Sequence, residues 1–181
     1  MSFADFTYDL EGQKMFQIME LAKKYELQGN KVIHLEIGDP DFPSPKEAIS
    51  AVKDALDRGK THYAQSSGIP EYKEACRNVT WKSRGFKPKD SQILVTTGAN
   101  IQIYLAIASL LNPDDEIIIP DPSFVSYASI IKSCRGKVVR YKLKESEKYR
   151  IDTAEIENLI TRKTKAIIIN SPHNPTGSVI N

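Results

Sequence analysis

From Gln92 to its end the chain alternates short apolar runs of strand length with segments of helical period, and few folds accept that pattern. Ile93–Thr97, Glu116–Pro120, Lys137–Leu143 and Lys165–Asn170 read as strands. Between them lie helices over Ala99–Leu111 and Ser123–Ser133, and a third that Asp152 and Glu155 open as a capping box and that runs to Arg162. Parallel strands need a long crossover, usually a helix, whereas antiparallel ones accept a short hairpin. The spacing therefore predicts an α/β fold, a mostly parallel sheet with helices over both faces. Ala99–Leu111 is apolar nearly all round and is expected to be buried. Arg162, Lys163 and Lys165 are expected to complement the C-terminal dipole of the last helix.

The first ninety residues are less regular. Residues 1–12 form a polar-aromatic arm without a period. Met15–Gln28 reads as a helix ended by Gly29, with Phe16, Met19, Leu21 and Ala22 on one face, and Val32–Ile37 reads as a short strand. Ser44, Pro45 and Glu47 predict the start of a helix with a capping box, stopped at Gly59. Another helix is expected from Pro70 to Gly85, lined on one side by Tyr72, Ala75, Cys76 and Val79.

At 181 residues the chain suits one domain or one and a fraction, and 40% hydrophobic residues are enough to bury a core. A net charge of +2 points to no particular partner, and the absence of a basic block argues against nucleic acid. No apolar run approaches the roughly 18 residues of a membrane span, and the N-terminus has no leader-like apolar stretch. Cys76 and Cys134 form neither a metal pattern nor a disulfide framework and read as buried small hydrophobes. The expected setting is cytoplasmic. HExxH, P-loop, GxSxG and GxGxxG patterns and paired metal ligands are all absent, which removes the chemistries that depend on them.

What remains is a set of loops at the predicted ends of strands. Thr96–Asn100 joins a strand to a helix, where unpaired N–H groups and the dipole favour an anion. It is either a phosphate cup or a tight turn of small residues. Asn170–Gly177 is more specific: two prolines stiffen the chain on either side of Asn174, whose amide could then donate to a ligand. Phe124 could stack on a flat ring or belong to the core. Tyr63, in the polar loop Thr61–Gly68, could donate to an anion or simply pack. Gly38 could expose a backbone N–H in a turn. His62 and His173 read as structural residues, and Lys142–Lys148 as a solvated loop. A sheet rarely finishes in such a loop, so the fold is expected to be incomplete in these residues.

Taken in order, GDPDFPSP (Gly38–Pro45), HYAQSSG (His62–Gly68), VTTGAN (Val95–Asn100), DPSFVSY (Asp121–Tyr127) and NSPHNPTG (Asn170–Gly177) resemble the front part of a class I/II aminotransferase. These are the fold-type I enzymes that use pyridoxal 5'-phosphate (PLP), and the likeness is to the aspartate-aminotransferase kind. It runs from residue 14 to the end. It implies an arm and small-domain segment over 1–44 and part of a three-layer large domain over 45–181. It also implies roles. Gly38 would offer its N–H to the substrate carboxylate. Tyr63 would donate to the PLP phosphate across a homodimer interface. Gly98, Ala99 and Asn100 would form the phosphate cup, Phe124 would stack on the pyridine ring, and Asn174 would bond the ring's 3-hydroxyl oxygen. The Asp121–Pro122 and Asn174–Pro175 bonds would be cis.

The substrates implied are an amino acid and a 2-oxo acid. The family's cofactor lysine, the aspartate on the pyridine nitrogen, a tyrosine and the carboxylate-binding arginine all follow the NPTG loop, and the sequence stops four residues past Gly177. The isolated chain is therefore expected to hold no catalytic residue and to be inactive. Lyases, decarboxylases and synthases of the same fold, and a non-catalytic remnant that binds a partner chain, stay open at this stage.

Overall fold

The structure, a computed structural model, describes residues 2–10 and 12–180; Met1 and Glu11 of the arm and the final Asn181 lie outside the described residues. The chain forms two compact units, one of residues 1–14 and 98–181 and the other of residues 15–97. The first is built on three parallel strands, β1 (Glu116–Asp121), β2 (Lys137–Lys142) and β3 (Thr164–Ile167), in the order β2-β1-β3. Glu116 stands beside Lys137 on one side and Thr164 on the other, and Asp121 ends beside Lys142.

β1 is the middle strand, and its side chains alternate between two cores as a period of two demands. Ile117 and Ile119 enter one core with Ile107, Tyr127 and Ile131, while Ile118 enters the other with Tyr141, Leu143 and Ile156. The first core is closed by α4 (Ala99–Leu110) and α5 (Ser126–Ser133), the second by α6 (Thr153–Leu159). Chain direction explains the split. The crossover from β1 to β2 runs one way across the sheet and that from β2 to β3 runs back, and right-handed crossovers of opposite direction put their helices on opposite faces. Three fully buried isoleucines in a row are what a strand covered on both sides requires.

The second unit holds α1 (Lys14–Leu27, whose first residue belongs to the other unit), α2 (Lys46–Asp57) and α3 (Pro70–Arg84), with a 3-10 turn over Asp90–Gln92. Gly85 ends α3 in the left-handed conformation, its N–H bonded to the Trp81 carbonyl. Among the described residues of this unit, only Lys73 and Pro88 are buried.

Several expectations are corrected. Val32–Ile37 pairs with no strand; the alternation is present, but a strand needs a ladder, and Ile33 and Leu35 stay exposed. Ile93–Thr97 is extended and likewise outside the sheet. α4 is not buried: Ile107 is, while Ile101, Tyr104, Leu105 and Leu110 are exposed. The face of α3 that is covered carries Lys73, Cys76, Arg77 and Thr80, not Tyr72 and Val79. The cap of α2 is missing because Pro45 itself stands at the cap position, which puts Ser44 one residue too early. Asp152 does cap α6, accepting from the N–H groups of Ala154 and Glu155 at 2.9 and 3.3 Å. Glu155 does not complete the box; its Oε1 accepts the N–H of Lys142 at 2.9 Å, at the end of β2. α6 stops at Leu159, so Arg162 and Lys163 lie in a turn rather than at its end. Both cysteines are free and only half-buried.

Candidate active site

In the first unit the segments that follow β1 and β3 leave adjacent strands at the carboxyl edge, where open α/β sheets place their ligands. They carry Asp121–Phe124 and Asn170–Gly177. The Asp121–Pro122 and Asn174–Pro175 bonds are cis, as expected, and Ser171–Pro172 is a third.

The loop after β3 is tied to itself. Asn170 Oδ1 accepts the N–H of Asn174 at 2.8 Å, the N–H of His173 donates to the Ser178 carbonyl at 2.8 Å, and that of Gly177 to the His173 carbonyl at 2.7 Å. Asn174 is thereby fixed through its backbone and its side chain is left exposed. His173 turns inward instead: it is 6% exposed, and its Nδ1 lies 2.8 Å from Thr176 Oγ1. Its Nε2 is buried without a partner among the described residues. Burial holds its pKa below the ordinary value, so the ring is neutral near pH 7. It borders a cavity of about 510 Å³ that Tyr141, Tyr149 and Asn170 also line.

Phe124 is half-buried against the first core, its ring edge-on to Tyr127 with centroids 5.5 Å apart. The same core holds Ile103 and Ile107, so Phe124 and the helix that begins at Ala99 share one core. At the start of that helix Gly98 adopts φ 138° and ψ 164°, a region open essentially to glycine alone. Apart from Gly98 and its two chain neighbours, no described atom lies within 4 Å of the point where a Cβ would stand. Gln102 makes the first intrahelical bond, to the Gly98 carbonyl at 3.4 Å, so the N–H groups of Ala99, Asn100 and Ile101 precede the ladder. Gly98, Ala99 and Asn100 are all exposed. Asn100 also borders a groove with Leu10, Gln13, Tyr104 and Ser126, where Gln13 Nε2 donates to Ser126 Oγ at 3.2 Å. Among the described residues this side of the chain offers donors, a ring and an amide but no cluster of metal ligands.

The second unit carries Gly38 and Tyr63. Both are exposed, Tyr63 completely. Near them the structure shows two clusters the sequence did not single out. His34 lies between Glu36 and Glu26, at 2.7 and 3.0 Å, and the hydrogen bond it donates to Glu36, then that to Glu26, raises its pKa. Lys73 lies buried between Ser67 and Asp90. The signal for Lys73 was present as a lysine at the i, i+3, i+7 spacing that Cys76 and Thr80 share, but polarity alone placed it in solvent.

A profile of the family described as "Aminotransferase class I and II" matches residues 30–181. The probable aspartate aminotransferase of Methanocaldococcus jannaschii is 43% identical over 155 residues, 86% of this chain and 41% of that protein. The aromatic-amino-acid aminotransferase 2 of Thermococcus litoralis is 40% identical over 171 residues, 92% of this chain and 44% of that protein. The crystal structure of the aspartate aminotransferase from Rhizobium meliloti superposes with a TM-score of 0.94 at 32% identity, covering 100% of this chain and 45% of that one. The chain thus spans less than half the length of each of these relatives. No described helix is long and apolar enough to cross a membrane.

Proposed function

The chain belongs to the class I and II aminotransferases, whose cofactor is PLP and whose large domain is of fold type I, and from that premise we propose that it supplies the phosphate cup and one side of the ring site of an enzyme exchanging an amino group between an amino acid and a 2-oxo acid. The observation that carries this is the glycine-only conformation of Gly98 at the exposed first turn of α4, with room where a side chain would stand. Oriented N–H groups and a helix dipole suit a phosphate dianion.

PLP, when bound, supplies the electron sink of the reaction. The chain's own residues bind and orient. The N–H groups of Ala99 and Asn100 hold the phosphate, with Gly98 setting their direction. Phe124, fixed by its edge contact with Tyr127, offers a face to the pyridine ring. Asn174 donates its amide to the 3-hydroxyl oxygen, held in place by the bond from its own N–H to Asn170. Gly38 directs its N–H at the substrate carboxylate. Tyr63, fully exposed, donates to the phosphate of a second copy's site, so the complete enzyme is a homodimer. The division into 1–44 and 45–181 and a cytoplasmic setting belong to the same proposal; two free cysteines support the latter.

Calorimetric titration of the chain with PLP and with pyridoxal, which lacks the phosphate, tests the cup. PLP is expected to bind about tenfold tighter, in line with charge-assisted bonds to the anion. Gly98→Ala should erase the difference. Equal affinities in the unaltered chain would sink the reading.

A further inference from the structure

We infer that Lys73 is a positioning residue, whose buried ammonium clamps the turn Gln65–Gly68 and thereby holds Tyr63 in place. The inference rests on the reading that Tyr63 serves the cofactor phosphate.

Lys73 is 3% exposed, the only buried cation among the described residues. Removing an ammonium from water is costly unless it is paired, so α3 would be more stable with an apolar residue there if packing were all that mattered. The cost is offset by two bonds. Nζ donates to Ser67 Oγ at 3.0 Å and to Asp90 Oδ2 at 2.8 Å. Asp90 is two-thirds exposed and keeps much of its water, so it anchors the ammonium without being buried itself. Ser67 belongs to the turn. One side chain thus joins α3, the 3-10 turn at Asp90 and the loop that carries Tyr63.

The same turn is held by other means. The Ser67 carbonyl accepts the N–H of Val95 at 3.1 Å, and the N–H of Gly68 donates to Gln65 at 3.0 Å. Gly68 has φ 109°, and a Cβ there would collide with the Val95 side chain. The other end of the loop is fixed where the N–H of Thr61 meets the Gly59 carbonyl at 2.8 Å. Between the anchors, His62, Tyr63 and Ala64 are exposed and make no hydrogen bond among the described residues. A short strap fixed at both ends has far less freedom than one fixed at a single end. Tyr63 owes its position to the two ends of the strap, and one end is pinned by Lys73. Such preorganisation lowers the ordering cost when Tyr63 meets its anion.

The test uses the 181-residue chain with Ser67→Ala, which removes one acceptor and leaves the Lys73–Asp90 pair intact, with Lys73→Met, and with the double variant. Amide exchange at Gly68 and Val95 and backbone ¹⁵N relaxation at Tyr63 report the loop, while thermal melting reports α3. Both single variants are expected to speed exchange at Gly68 and Val95 about tenfold and to lower the Tyr63 order parameter. The double variant should do no more than Lys73→Met alone, as befits one shared bond. Ser67→Ala should leave the melting of α3 unchanged. An unchanged loop in Ser67→Ala would overturn the inference, even if Lys73→Met unfolds. These readouts need no cofactor, so loss of PLP selectivity in the earlier titration would end the functional reading and leave the clamp standing.

Discussion

At the scale of the residue, the buried imidazole of His173 makes the fold sensitive to acid. Its pKa lies below the ordinary 6.5 because burial penalises the cation. The unfolded chain therefore takes up the proton first as pH falls. Stability is undiminished above about pH 6.5 and is lost as the pH drops from there through the lowered value. Urea midpoints between pH 7.5 and 5 should fall for the unaltered chain and fall less for His173→Asn; parallel slopes would refute this. His34 has the opposite sign, its raised pKa giving a contribution present below 6.5 and lost as pH rises through the higher value. Motif residues were the most legible part of the sequence, because glycine, proline and asparagine act through local backbone rules. Gly98 and the paired prolines around Asn174 could be named without knowing the fold. Glu155 could not. Whether a glutamate turns back to its own cap or out to Lys142 depends on a strand thirteen residues away.

At the scale of the element, burial pattern decides. β1, β2 and β3 were legible from their apolar runs, since a strand covered on both faces needs Ile117, Ile118 and Ile119 in succession. Val32–Ile37 and Ile93–Thr97 have comparable runs, and what they lack is a partner, which composition does not reveal. Periodicity also misjudged α3, where the covered stripe is polar because Lys73 finds its own acceptors. Ile118 faces Tyr141 and Ile156 with no exposed surface. Ile118→Ala should therefore cost about 2–5 kcal/mol in chemical denaturation. A loss no larger than that of an exposed substitution such as Ile160→Ala would mean that the second core is not closed as described.

At the scale of the whole molecule, the apolar surface is large. Ile101, Tyr104, Leu105 and Leu110 of α4 are exposed together, a helix apolar nearly all round with one buried residue. Exposed apolar surface on this scale favours association. Sedimentation of the 181-residue chain should show self-association that weakens when Leu105→Lys is introduced, and a dilute monomer melting cooperatively at high temperature would contradict this. Fold class and family were legible at this scale because five loops recur in a fixed order. The two-unit division was not, since it depends on which segments pack and not on where motifs fall.

The strand order has one more consequence, for the time course of synthesis. Among the described residues β2 and β3 do not pair with each other; each pairs with β1, and β1 comes before both. Each later strand therefore leaves the ribosome when its template is already made, and the sheet can widen first to one side and then to the other without waiting for anything still unread.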